Sequence, residues 1–301
     1  MNEAPFVATL VSNPANPALT GAALERARRA LPGAGAVRWL APGVAADIPL
    51  APPGAQDNET WRAALRTALD GAAVDIHIGP AAGRRRKLFV ADMDSTIIGQ
   101  ECIDELADLV GLKDHVAAIT ERAMRGEIAF EPALRERVAL LKGLKAEVVD
   151  DVIARRITLT PGARALVRTM RANGAYTALV SGGFTVFTAR IAEMAGFDEN
   201  RANLLVVENG AFAGAVAEPI LGATAKLDAL RTLRDSRGLS REETLAAGDG
   251  ANDLAMLREA GLGVAYHAKP AVAAAAAMRV DHGDLTALLY VQGYAQDEFV
   301  A

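Results

Sequence analysis

From Lys87 onward the chain repeats one pattern: a short, continuous apolar run that ends in acids or glycines, followed by a helical stretch. The runs are KLFVAD (87–92), AYTALVSGG (175–183), ETLAAGDGAND (243–253) and LGVAYHA (262–268), with Gly- or Pro-flanked helices between them. Strands that are apolar throughout, rather than at every second residue, belong in a parallel sheet covered by helices on both faces. In such sheets ligands bind beyond the C-terminal strand ends, where three polar clusters of this chain fall. One stretch breaks the alternation. Residues 99–158 read as successive helices (ECIDELADLVG, DHVAAITERAMRGE, FEPALRERVALLKG, KAEVVDDVIARR), with Gly111, Gly126 and Gly143 near their ends. Glycine suits the left-handed cap there. The expectation is an all-helical cap inserted after the first strand, placed to cover the site like a lid.

Residues 1–83 form a separate unit. FVATLVS (6–12) and VDIHIGP (74–80) are predicted strands, LTGAALERARRAL and ETWRAALRTAL are amphipathic helices, and AVRWLAP and VAADIPLAP are two short strands around Pro42-Gly43. The order βαββαβ is that of a ferredoxin-like α+β fold. Gly83-Arg84-Arg85-Arg86-Lys87 follows, read as a solvated basic linker. The larger unit, 84–301, carries the chemistry.

Composition removes several function classes. The 301 residues are 51% hydrophobic, enough for two cores, and the net charge of -5 disfavours nucleic-acid binding. One cysteine and four histidines build neither a zinc cluster nor a disulfide framework. No apolar run approaches about 18 residues and the N-terminus lacks a signal-peptide form, so the chain is read as cytoplasmic, with no membrane partner. Its working groups should be carboxylates and an oxygen-bound metal.

Asp92-Met93-Asp94-Ser95-Thr96 is the strongest signal. A bare pair of acids two apart is usually a solvated turn, but this one ends an apolar strand that should be buried. Carboxylates so placed repel unless a cation lies between them, and they also suit a nucleophile beside a proton donor. Gly248-Asp249-Gly250-Ala251-Asn252-Asp253 adds two carboxylates at another strand end, a hard oxygen set of the kind Mg²⁺ prefers. Ser181-Gly182-Gly183-Phe184 offers a hydroxyl and two glycines where strand passes to helix, a natural anion cradle or an ordinary tight turn. Lys226 opens the helix AKLDALRTLRD and would by default be a surface lysine.

DxDxT, a serine at the next strand end, a downstream lysine and GDGxND, in this order, resemble the haloacid dehalogenase superfamily of phosphatases. DMDSTIIGQECIDELA, AMRGEIAFEPALRERVALLKG, SGGFTVF and GDGANDLAML are similar to its phosphoserine phosphatase family, and the resemblance spans about 87–293. It implies a parallel Rossmann-like sheet with a helical cap. It also implies a Mg²⁺-dependent enzyme that hydrolyses O-phospho-L-serine to L-serine and phosphate through an aspartyl-phosphate, the last step of serine biosynthesis. In that reading Asp92 is the nucleophile and Asp94 the general acid and base. The metal is held by Asp92, Asp249 and the Asp94 carbonyl, with Asp253 ordering its surroundings. Ser181, Gly182, Gly183, Lys226 and Asn252 bind substrate, the phosphoryl oxygens falling to Ser181, Gly182 and Lys226. Glu101 and Arg137 match the positions that take the ammonium and the carboxylate, Met124 and Phe130 an apolar wall. Arg135 competes with Arg137 on chemistry alone, and the Phe130-x6-Arg137 spacing favours the latter. Cys102 reads as a buried small residue.

The N-terminal unit resembles an ACT-type module, which implies a homodimer and L-serine feedback. The loop SNPANPALTG lacks the glycine that usually opens such a pocket, so a purely structural or dimerising role stays open. Two rival functions compete with this reading: hydrolysis of another small phosphomonoester such as phosphohomoserine or phosphoethanolamine, and an amino-acid sensor with a degenerate phosphatase domain.

Overall fold

A computed structural model describes residues 6–50, 58–124, 127–222 and 224–301, with only the backbone of 123 and 124. The first unit comprises β1 (Phe6–Ser12), α1 (Gly21–Ala30), β2 (Arg38–Ala41), β3 (Ala45–Leu50), α2 (Asn58–Leu69) and β4 (Val74–Pro80). Its sheet has the order β2-β3-β1-β4, and β1 pairs antiparallel with both β3 and β4. This is the expected α+β arrangement, consistent with an ACT-like fold. Period-two alternation divides the sheet into two faces. Ala8, Leu10, Ile48 and Ile78 pack under the helices with Leu24, Trp61 and Leu65.

The opposite face does not meet water. Val11, Val44 and Ala45 share a buried cluster with Leu288, Leu289 and Tyr290 of the second unit. Thr9 and Asp47 lie on that face too, and the Thr9 hydroxyl donates to Asp47 Oδ1 at 2.7 Å. A buried carboxylate needs a cation, and Arg84 supplies it: Nη2 sits 2.7 Å from Asp47 Oδ2, with the two side chains 14% and 5% exposed. The basic run is therefore not a solvated linker. Arg85 lies 4.0 Å over the Tyr294 ring, and the Arg86 N–H donates to Gln292 Oε1 at 2.9 Å. Only Arg84 reaches the N-terminal sheet; Arg85 stays half exposed over Tyr294, and Arg86 is held to Gln292 by its backbone.

The second unit continues through β5 (Leu88–Ala91), α3 (Cys102–Leu109), α4 (Lys113–Met124), α5 (Phe130–Ala139), α6 (Val148–Arg156), α7 (Ala163–Ala172), β6 (Tyr176–Phe184), α8 (Thr185–Ala195), β7 (Glu199–Asn203), β8 (Leu205–Glu208) and β9 (Ala211–Val216). It closes with α9 (Ala225–Ser236), β10 (Thr244–Gly248), α10 (Leu254–Glu259), β11 (Leu262–Tyr266), α11 (Pro270–Ala275), β12 (Met278–Val280) and α12 (Ala287–Val291). The six-stranded sheet has the order β12-β11-β10-β5-β6-β7, all pairs parallel. β5 and β10 are apolar and buried from end to end, as strands covered on both faces must be. The chain winds outward from β5 in both directions, so the ends of β10, β5 and β6 form the crevice at the switch point.

The cap is α3 to α6, as expected, but it is not wholly helical. The β8–β9 hairpin joins it: the Gly143 N–H donates to Phe212 O at 2.8 Å and the Phe212 N–H to Leu144 O at 2.9 Å. Gly111 and Gly143 take the left-handed conformation near helix ends. Gly126 lies outside the described residues.

Candidate active site

β5 delivers Asp92 to the crevice. Its N–H extends the ladder to Ala247 O of β10 at 3.0 Å, and its Oδ1 accepts the Met93 N–H at 2.8 Å. The other oxygen, Oδ2, lies 2.7 Å from Lys226 Nζ, which also reaches Asp253 Oδ1 at 2.6 Å. Lys226 is no surface lysine. It is 4% exposed, wedged between two carboxylates from different strand ends. Asp253 is fully buried, and its Oδ2 accepts the Gly250 N–H at 3.0 Å, which ties the Gly-Asp-Gly turn to the same lysine.

Ser95, at φ 53, turns the chain sharply after Asp94. Asp94 Oδ1 accepts the Cys102 N–H at 2.9 Å, and Oδ2 accepts the Ser181 hydroxyl at 3.3 Å. Cys102 is buried as expected. The cradle differs from expectation in one respect: Ser181, Gly182 and Gly183 belong to β6 itself, and α8 starts only at Thr185. No helix N-terminus supplies their N–H groups; a bulge against β7 between Val180 and Phe184 bends the strand instead. The glycines are dictated by space. A Cβ on Gly182 would meet the Phe130 ring at 3.3 Å, and one on Gly183 would meet Ser181 Oγ at 3.1 Å and Asp94 Oδ2 at 3.3 Å.

Asp92, Asp94, Ser181, Gly182 and Gly183 line a cavity of about 470 Å³ with Glu101, Phe130, Arg137, Asp249 and Asn252, while Lys226 and Asp253 are buried outside its lining and Lys226 reaches it through Asp92. Arg137, not Arg135, faces it; Arg135 pairs with Glu218 on the surface. Arg137 Nε donates to Ala133 O at 3.2 Å and Nη1 to Thr120 Oγ1 at 3.3 Å, which leaves three guanidinium N–H bonds for a ligand. Glu101 Oε1 accepts the Ser95 hydroxyl at 2.8 Å. The Met124 side chain lies outside the described residues. Thr96, Thr120 and Lys269 carried no assigned role in the sequence. Thr96 donates to Asp249 Oδ1 at 3.2 Å, while Thr120 and Lys269 line the cavity. The Thr of DxDxT was a visible signal; Thr120 and Lys269 had none.

Burial pushes the carboxyls of Asp92, Asp94 and Asp249 above the usual carboxylate range, and the neighbouring acids add to the shift on Asp92 and Asp249. Glu101 is pushed up to about 7 by burial and by the charge of Asp94. Burial pulls the Lys226 ammonium down, but Asp92 and Asp253 outweigh it and hold it above an ordinary lysine. The site is an excess of buried negative charge that one lysine does not balance. Asp92, Asp249 and Asp253 each place a carboxylate oxygen within 4.8 Å of the others, an all-oxygen donor set that fits a hard divalent cation. A pH dependence follows. Folded-state values raised above the unfolded ones mean stability that is present at low pH and lost as pH rises through the raised range. Metal-free protein should therefore lose melting temperature as pH rises from about 4.5 to about 7, the span set by Glu101, and an added divalent cation should restore it. Thermal melts with and without chelator read this directly; a metal-free protein equally stable across that range contradicts it.

Residues 89–258 match the family model of haloacid dehalogenase-like hydrolases. Phosphoserine phosphatase of Streptomyces coelicolor is 44% identical over 247 residues, covering 81% of this chain and 60% of that protein. Phosphoserine phosphatase of Albidiferax ferrireducens is 46% identical over 208 residues, covering 67% of this chain and 88% of that protein. The chain thus spans about 60% of the length of the Streptomyces relative. Among solved structures, a HAD-family hydrolase from Salmonella enterica serovar Typhi superposes with a TM-score of 0.85 at 27% identity, over 98% of this chain and 100% of that one. That match takes in the N-terminal sheet as well as the larger unit. Sequence, fold and strand-end carboxylates agree: the chain belongs to the haloacid dehalogenase-like hydrolase family.

Proposed function

We propose that the chain is a Mg²⁺-dependent phosphoserine phosphatase, converting O-phospho-L-serine and water to L-serine and phosphate. One observation carries the reading: a single cavity holds the carboxylates for phosphoryl transfer together with Glu101 and Arg137, an anion and a cation suited to an amino acid. The names of the relatives support the same substrate.

In this mechanism an Asp92 oxygen attacks phosphorus while the bond from phosphorus to the serine oxygen breaks, giving an aspartyl-phosphate. Asp94, whose raised carboxyl favours the protonated form, gives its proton to the leaving oxygen. Water then attacks phosphorus, Asp94 takes a proton back, and the bond to Asp92 breaks to free phosphate. Lys226, the Ser181 hydroxyl and the Gly182 N–H hold the phosphoryl oxygens, and positioning with charge is what this chemistry needs. The Asp92 and Asp249 carboxylates and the Asp94 carbonyl would hold Mg²⁺, with Asp253 ordering them. The bound ion supplies positive charge against the oxygens of the transferring group. Gly183 and Asn252 complete the cradle, and Phe130 forms an apolar wall. Dimer formation and L-serine feedback belong to the proposal for the ACT-like unit.

A phosphate-release panel over phosphoserine, phosphothreonine and phosphoethanolamine, with Mg²⁺ or chelator and with or without L-serine, tests it. Phosphoserine should lead and chelator should silence the reaction; equal turnover of phosphoethanolamine contradicts the substrate. Glu101 adds a pH signature. Only its ionised form pairs with the ammonium, so kcat/KM for phosphoserine relative to p-nitrophenyl phosphate should rise through about pH 7. Glu101→Gln should flatten that ratio; a variant that keeps the limb removes Glu101 from ammonium binding.

A further inference from the structure

One turn of the larger unit is held almost entirely by the smaller one. Asp75 of β4 is 5% exposed and accepts three successive backbone N–H groups: Asp281 at 2.8 Å, His282 at 3.2 Å and Gly283 at 2.7 Å. Asn13, just after β1, donates from Nδ2 to His282 O at 3.0 Å. From the larger unit's own side, His267 Nε2 lies 2.9 Å from Gly283 O.

His267 is the second anomaly. It follows β11 with φ 41, a left-handed conformation that is unfavourable for a non-glycine residue. Such strain persists where surroundings over-determine it, and here the ring is tied to the turn while the backbone N–H donates to Val280 O at 2.8 Å. Lys269 lines the cavity, and its N–H donates to Asp249 O at 3.3 Å. Hydrogen bonds joined by the backbone of residues 267–269 thus connect the N-terminal sheet to a carboxylate-bearing strand end.

We infer that Asp75 is a positioning residue for the active-site rim: by gripping the turn 281–283 it fixes His267 and so seats the 267–269 segment against Asp249. The N-terminal unit is then a working part of the catalytic architecture. The inference rests on the reading of the cavity as the phosphatase site.

The test is backbone hydrogen exchange at Lys269 in the full chain without metal, alongside phosphate release from phosphoserine. Asp75→Ala should speed that exchange about tenfold or more, as local opening predicts, and lower kcat severalfold. His267→Ala should do the same, and the double variant should be no worse than either. Arg84→Ala loosens the same domain contact without touching the turn, and should leave Lys269 exchange and kcat at wild-type values. Asn13→Ala and Asp75→Asn, which keeps one acceptor oxygen, should fall between, and they decide the matter if Asp75→Ala does not fold. Unchanged exchange in folded Asp75 and Asn13 variants overturns the inference, as does equal acceleration in Arg84→Ala. Faster exchange in a protein inert on phosphoserine would instead defeat the functional reading alone.

Discussion

Asp92→Asn should lose phosphate release by about 10⁴-fold or more, the scale on which removing a covalent nucleophile acts. The same variant should melt no lower than wild type in the absence of metal. Asn keeps the shape and one acceptor oxygen, which serves either Lys226 or the Met93 N–H, and Lys226 retains Asp253 at 2.6 Å, so no buried cation is stranded. What disappears is one charge from a set in which burial, Asp253 and Asp94 all disfavour ionised Asp92. The stabilisation that Mg²⁺ gives should shrink in parallel, since a ligand is gone. Loss of activity with retained or increased stability separates a chemical role from misfolding. Activity above about a hundredth of wild type would remove Asp92 from the nucleophile position.

Arg137→Ala should raise KM for phosphoserine by about 100-fold, roughly 3 kcal/mol, the upper range for a charge-assisted bidentate contact. Turnover of p-nitrophenyl phosphate, which has no carboxylate, should change little. Burial holds the Arg137 guanidinium below its ordinary value despite the nearby charges of Asp104, Glu101 and Asp94, so it is not a solvated surface side chain. Arg137→Lys should recover only part of the loss, because an ammonium lacks the planar fork. Equal losses on both substrates would mean that Arg137 shapes the cap and does not read the amino acid.

The central strands were legible because buried parallel strands are apolar throughout, and their polar ends stand out against that background. β7 was not, because an edge strand reading Glu199-Asn200-Arg201-Ala202-Asn203 has no apolar run to detect. The β8–β9 hairpin carried a usable signal that went unread: Asn209 and Gly210 between apolar flanks, both at positive φ, form the two-residue turn favoured by twisted strands. The arginine run misled for a different reason. Its partners Asp47, Tyr294 and Gln292 lie far away in the chain, and a local charge pattern says nothing about which surfaces will be buried together. The position of the site, by contrast, followed from strand-end logic, since the sheet order brings the ends of β10, β5 and β6 side by side.

Covalent attack by Asp92 on phosphoserine is the central claim. Rapid acid quench of the chain mixed with phosphoserine and Mg²⁺, followed by mass spectrometry of the peptide that carries Asp92, tests it most directly. A phosphoryl group should appear on Asp92 within the first turnover, absent from Asp92→Asn and much weaker with phosphoethanolamine. Serine released with no phosphoryl group on Asp92, or with the label on another residue, would contradict it.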